Sequence, residues 1–207
     1  MVQATSYDAL ILDHAAGALD AAATLVLNAH ARLAASGREA VSLADVLGGA
    51  LLEGMAPAVM HAAPLTPAGE ALPFAALDDG APETRAVNLI RLAQSDPKAL
   101  AWRWRWFGVR EHDLPVTGAR LLKMRRGVSA PRHSHRQHEL TLVLAGRYTD
   151  ERVEYRVGDL AIAAPGEVHR PRTLGSESCL CLTADVGMSA ASLARARLDT
   201  GARDYIL

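Results

Sequence analysis

At 207 residues, half of them apolar and 22% charged, the chain has the size and composition of an ordinary globular protein of one large or two small domains. A formal net charge of −1 gives the surface no general reason to seek nucleic acid or anionic lipid, so no direct DNA binding is expected. No apolar run approaches the ~20 residues of a membrane span, and the opening MVQATSYDAL lacks the basic flank and apolar core of a signal peptide, so a cytoplasmic protein without membrane association is expected.

Residues 1–54 are rich in Ala and Leu and punctuated as helices. Ser6 is a candidate cap for a first helix, and Gly17 a candidate stop. Asp20 can cap a second helix, in which Ala22, Leu25, Val26, Ala29 and Leu33 recur at helical spacing. Ser36-Gly37 is read as a break, after which a third helix carries Val41, Leu43, Val46, Leu47, Ala50 and Leu51. Three short helices in about fifty residues have a thin core and lean on a partner or on the rest of the chain.

Residues 55–98 read as a Pro- and Ala-rich linker. Pro57, Pro64, Pro67, Pro73 and Pro82 interrupt it, with a short helical turn around Phe74 to Leu77 as a candidate. A further helix is expected over Glu83 to Gln94, stopped by Asp96-Pro97.

From residue 99 to 207 the pattern changes to strands. Trp102, Trp104 and Trp106 alternate with Arg103 and Arg105, which places the three indoles on one strand face packed on helices or on a second subunit. Further strands are expected over Ala119–Arg125, His138–Tyr148, Arg152–Val157, Leu160–Ala163, His169–Thr173 and Ser178–Ala184, with a helix over Ser189–Leu198. Short strands at this density predict a small barrel or sandwich, and the whole chain an α+β protein of two domains. In the long strand, Glu139, Thr141, Val143 and Ala145 share one face and Leu140, Leu142 and Leu144 the other. Both faces are largely apolar and need cover. The leucine face needs another sheet, the helices, or a second copy in a homodimer. Cys179 and Cys181 lie too close on one strand to staple a fold, which agrees with a reducing compartment. They read as small buried hydrophobes, with an oxidisable pair as the alternative.

The chemistry concentrates in GVSAPRHSHRQHELTLVLAG, residues 127–146. His133 and His135 stand two apart, so on an extended chain both imidazoles point to one side. Glu139 can join them from the following strand, and His169 from the segment GDLAIAAPGEVHRP. Three imidazoles and a carboxylate form a full donor set for one divalent transition metal. Zinc is expected first, with Fe(II), Mn(II) or Ni(II) as alternatives. His138 faces away from Glu139 and is not expected to join. A six-coordinate ion would leave positions for a substrate, so a metalloenzyme such as a small-molecule dioxygenase is the alternative function.

The spacing Gly127, His133, His135, Glu139, Gly146 resembles the first cupin motif throughout. Gly158, Gly166 and His169 resemble the second, with Pro165 displaced by one and Thr173 where asparagine is common. The chain as a whole resembles the ChrR-type anti-sigma factors, in the segments LDHAAGALDAAATLVLNAHARLAA, DVLGGALLE, ELTLVLAGRYTDE and ESCLCLTAD. That resemblance implies a small helical bundle followed by a cupin barrel or jelly roll. It also implies a non-enzymatic transcription regulator, whose N-terminal helices sequester an extracytoplasmic-function (ECF) sigma factor and release it on oxidative stress. In the family the helical domain holds zinc through an early histidine and a His-x3-Cys-x2-Cys cluster. Here His30 stands at the cluster histidine, but Ala34 and Gly37 occupy the cysteine positions and Thr5 stands near the early histidine. His14 is nearby in sequence, but two histidines without thiolates make a poor zinc site, and no zinc is expected in the N-terminal domain.

Overall fold

The computed structural model describes residues 2–56 and 82–186. Four helices, α1 (Val2–Ala15), α2 (Ala21–Leu33), α3 (Ala35–Glu53) and α4 (Pro82–Ser95), precede nine strands. These are β1 (Arg103–Trp106), β2 (Val109–Asp113), β3 (Ala119–Met124), β4 (His138–Ala145), β5 (Arg147–Thr149), β6 (Glu154–Arg156), β7 (Leu160–Ala163), β8 (Arg172–Thr173) and β9 (Cys179–Val186). The expected turn at Phe74 to Leu77 and helix over Ser189–Leu198 lie outside the described residues.

Local chemistry sets the helix ends. Gly17, at φ 65°, follows α1; its N–H donates to His14 O at 3.0 Å and the Ala18 N–H to Asp13 O at 2.8 Å. These two bonds satisfy carbonyls that the helix end would orphan. Ser6 does not cap this helix, which already begins at Val2. Asp20 caps α2, its carboxylate accepting from Ala23 N at 2.8 Å. The expected break at Ser36-Gly37 falls instead at Ala34, whose extended backbone separates α2 from α3 and leaves Gly37 inside the first turns of α3. Asp96 ends the last helical stretch by capping a 3₁₀ turn over Pro97–Ala99.

All strand pairs are antiparallel, in a six-stranded sheet ordered β1-β2-β3-β9-β4-β7 and a three-stranded sheet ordered β6-β5-β8. The expected strand His138–Tyr148 is two strands, because Gly146 adopts φ 71° and turns the chain from one sheet into the other. A Cβ there would lie 2.5 Å from Ser178 O, so only glycine fits the corner. Strand β2, VREHD, escaped the sequence reading; its polar residues do not alternate, and the Phe107-Gly108 turn before it is short. The three tryptophans do not share a face. A register shift between Trp104 and Trp106 re-aims the strand, so that Trp102 packs with the helices, Trp106 enters the barrel interior, and Trp104 stays 60% exposed.

Strand β4 is covered on both sides. Val143, with Tyr148, Tyr155, Met124 and the two cysteines, forms the core between the sheets. Leu140, Leu142 and Leu144 join Leu121 and Leu182 from neighbouring strands and Leu25, Val26 and Leu27 of α2 in one continuous cluster. The helices thus supply the cover that the leucine face requires, at about 1.5–3 kcal/mol per fully buried leucine. α2 lies between the sheet and the other helices and is buried nearly all round.

The third helix departs from expectation in a telling way. It packs through Gly37, Ala40, Val41 and Ala44, and turns Leu43, Val46, Leu47 and Leu51 outward. Leu51 and Leu52 are 72% and 70% exposed.

His30 stitches the helices to the barrel. Its Nδ1–H donates to Gly158 O at 2.8 Å, in the turn before β7, and its Nε2 accepts from the Tyr7 hydroxyl at 3.1 Å. Burial lowers the His30 pKa despite the Gly158 carbonyl and Asp159, which favour the charged ring. An unfolded histidine titrates near ~6.5, so as pH falls the unfolded chain takes up this proton first. The stabilisation is therefore complete above that value and is lost as pH falls toward the lower folded value. We expect His30→Ala to cost about 1–3 kcal/mol in urea unfolding near pH 8, and to flatten the decline in stability between about pH 7 and pH 5.

Candidate metal centre

The backbone brings the four candidate ligands together before any ion is considered. His133 and His169 face each other across an isolated antiparallel bridge, exchanging N–H···O bonds of 3.1 and 3.0 Å. Gly166, at φ 75°, donates its N–H to His135 O at 2.9 Å and closes the second motif onto the first. Glu139 stands at the start of β4 on the interior face, 6% exposed.

The donor atoms converge. His135 Nε2 lies 2.6 Å from Glu139 Oε2 and 3.0 Å from His169 Nε2. His169 Nε2 is 3.2 Å from His133 Nε2 and 3.9 Å from Glu139 Oε2, and all four donors lie within 4.8 Å of one another. A tetrahedral ion bonded at ~2.0–2.1 Å separates its donors by about 3.3 Å, so these residues fit a divalent transition metal. Among the described residues this is the only such group of three or more. His138 lies outside it, as its facing on the strand implies.

Electrostatics favour the binding form at two of the donors, Glu139 and His169. Burial works to raise the Glu139 pKa, but the hydrogen bond and charge of His135, together with His169 and Arg120, outweigh it and hold the carboxyl below the usual range. Burial, followed by the neighbouring His133, lowers the His169 pKa. An ionised carboxylate and a neutral imidazole are the states a metal requires.

A hydrogen bond orients the His133 ring, and a carboxylate stands behind His135. The Nδ1–H of His133 donates to Pro131 O at 2.8 Å, leaving Nε2 free to face the centre. His135 Nδ1 lies 4.0 Å from Asp185 Oδ1, and Asp185 Oδ2 accepts from Arg120 Nη2 at 2.6 Å. Asp185 and Arg120 were missed in the sequence. The available signal was an acid at the end of CLCLTADV, a strand otherwise buried almost throughout. Thr173 is structural, its hydroxyl donating to Arg125 O at 2.8 Å and accepting from Val128 N at 3.0 Å.

Beside the donors lies a cavity of about 40 Å³ lined by Arg105, Trp106, Met124, Tyr148 and Cys181 among others. Trp106 packs against the His133 ring at 5.2 Å between centroids. The Cys179 and Cys181 sulfurs are 3.6 Å apart in the barrel interior. Their hydrogen bond and burial push the Cys181 thiol well above its usual range, which keeps it protonated and weakly nucleophilic.

The histidines of the helical half go elsewhere. His14 Nε2 hydrogen-bonds Asn28 Oδ1 at 3.0 Å, and His30 takes Tyr7 and Gly158. A Cβ on Gly37 would lie 2.7 Å from the His30 ring, and one on Gly158 would lie 3.3 Å from the Ala34 Cβ. The chain is closed around His30 where the two cysteine positions fall.

We expect Asp185→Asn to weaken metal binding about 10- to 100-fold in competition with a chromophoric chelator, with the fold retained. Unchanged affinity would show that Asp185 does not orient His135.

Residues 93–188 match the family described as the ChrR cupin-like domain. The anti-sigma-E factor ChrR of Cereibacter sphaeroides is 34% identical over 188 residues, covering 86% of this chain and 86% of that protein. The solved structure of Rhodobacter sphaeroides SigE in complex with the anti-sigma ChrR matches at a TM-score of 0.68 and 35% identity, over 86% of this chain and 96% of that one. KdgF from a Halomonas species matches at a TM-score of 0.36 and 20% identity, over 41% of this chain and 86% of that one, too low to bear on function. The likeness to ChrR takes in the helices as well as the barrel, and this chain belongs to the ChrR family of anti-sigma factors.

Proposed function

We propose that the protein is a cytoplasmic anti-sigma factor that binds an ECF sigma factor through the outward face of α3 and so withholds it from RNA polymerase. The observation that carries this reading is the stripe Leu43, Val46, Leu47, Leu51 and Leu52, turned to solvent in a chain related to ChrR across both halves. Exposed leucines on a single helix face have no packing role among the described residues and suit a partner surface. Among the described residues, no helix is long and apolar enough to cross a membrane.

His133, His135, Glu139 and His169 hold one metal, zinc by preference, since three imidazoles and a carboxylate saturate its tetrahedral geometry. When bound, the metal supplies a fixed cross-link between the two halves of the motif. A cavity of about 40 Å³ supports a regulatory over a catalytic reading, since substrate pockets run to ~300–1,000 Å³. The helical half is expected to hold no zinc; the two ring nitrogens of His30 are taken up by Tyr7 and Gly158. Sensing of oxidative stress therefore belongs to the barrel. A disturbance at Glu139 on one face of β4 reaches α2 through the leucines on the other. A change of ~1.4 kcal/mol in that coupling shifts sigma affinity about tenfold.

Leu47→Asp with Leu51→Asp is expected to weaken sigma binding by about 2–4 kcal/mol, roughly 30- to 1,000-fold, with thermal stability nearly unchanged. Undiminished binding would remove α3 as the contact. If the variant instead turns a dimer into a monomer and still binds sigma, the stripe is a self-association face. Metal analysis of the full chain should find about one ion per chain, and two would overturn the reading of the helical half.

A further inference from the structure

A second feature of the barrel lies on the opposite face of the large sheet from the metal centre. One cross-strand row there runs Trp104, Arg110, Lys123 and Leu180, with Leu180 in the core shared with the helices. Its two central members are cations directly opposite each other, an arrangement that destabilises a sheet unless something neutralises it. Lys98, in the 3₁₀ turn after α4, and Arg125, just beyond β3, bring the count to four. These four line a groove of about 450 Å³ together with Trp102 and Ser178.

None of the four forms an ion pair among the described residues, although the same hairpin pairs its other arginines closely. Arg103 and Arg105 take Glu111 and Asp113 at 2.6–3.1 Å. Arg110 instead lies over the Trp104 ring at 4.3 Å, and Lys123 Nζ sits 5.9 Å from the Trp102 ring. The hairpin's acids are thus committed to its other arginines, and among the described residues the groove's cations are left without ion-pair partners.

We propose that this groove binds a small phosphorylated molecule carrying at least two phosphates. Guanidinium forks and ammonium groups together suit clustered phosphate oxygens, and Ser178 adds a hydroxyl. The groove falls in the usual size range of small-molecule sites, ~300–1,000 Å³. A net charge of −1 and the confinement of these cations to one concavity disfavour a nucleic-acid backbone, which needs a longer basic track. A ligand here would tie the end of the α4 segment, through Lys98, to β2 and β3. The inference stands on its own geometry and does not depend on the metal or on sigma binding.

The test is calorimetric titration and thermal shift of the full chain with pyrophosphate, a nucleoside triphosphate and a short oligonucleotide, repeated with Arg110→Gln, Lys123→Gln. The parent should bind pyrophosphate with a dissociation constant below about 1 mM at low salt and gain thermal stability. The double variant should lose at least tenfold in affinity, keep its metal content, and without ligand be no less stable than the parent, since a like-charge pair is removed. Tighter binding of the triphosphate than of pyrophosphate would identify a nucleotide; equal binding would identify the phosphates alone as the recognised group. The proposal is overturned if neither phosphate compound binds up to ~10 mM, if the double variant binds equally well, or if only the oligonucleotide binds.

Discussion

Strand β4 cannot be buried on one side only, and the architecture follows from that constraint. Its odd-numbered residues carry Glu139 into the barrel, while Leu140, Leu142 and Leu144 form an apolar strip that water would penalise heavily. A barrel alone covers the first face and leaves the second bare. The helices, α2 above all, close the second face. Candidate metal ligand and helix-packing residue, Glu139 and Leu140, are therefore neighbours on one strand, with a single peptide unit between them. Interiors packed at native density transmit small displacements rather than absorb them.

The helical half is tied to the barrel by a hydrogen bond. His30 reaches Gly158 and Tyr7, and the small residues at 34 and 37 allow the close approach that larger side chains would block. Gly158 serves both halves, as a turn residue of the barrel and as the acceptor for His30. Packing α3 through Gly37, Ala40, Val41 and Ala44 consumes its small residues and leaves its large ones exposed. The His/Glu cluster and the exposed face of α3 thus sit on opposite sides of α2.

The grouping of His133, His135 and Glu139 was legible in the sequence because its geometry is local, whereas His169 joins them across a bridge from a distant segment. Two histidines two apart on an extended chain must share a face, and Glu139 enters with the alternation of β4. The helical half was legible as to caps and spacing, as Gly17 and Asp20 illustrate. Periodicity, however, reports that a helix has an apolar face without saying what covers it, so the outward turn of Leu47 and Leu51 could not be read. The tryptophan alternation failed for a different reason: one bulge between Trp104 and Trp106 reverses the facing, and no composition signal marks it. Asp185 and the groove around Arg110 and Lys123 depend on pairings between strands distant in sequence, which no spacing rule reveals.

Strand β4 packs the His/Glu cluster on one side and the helices proposed to bind sigma on the other, so metal removal should loosen both. Amide hydrogen exchange of the full chain, with metal bound and after chelation, reads this coupling residue by residue. Faster exchange on metal removal is expected in β4, in β9 and also in α2. Changes confined to the ligand-bearing loops, with α2 protected equally in both states, would contradict it.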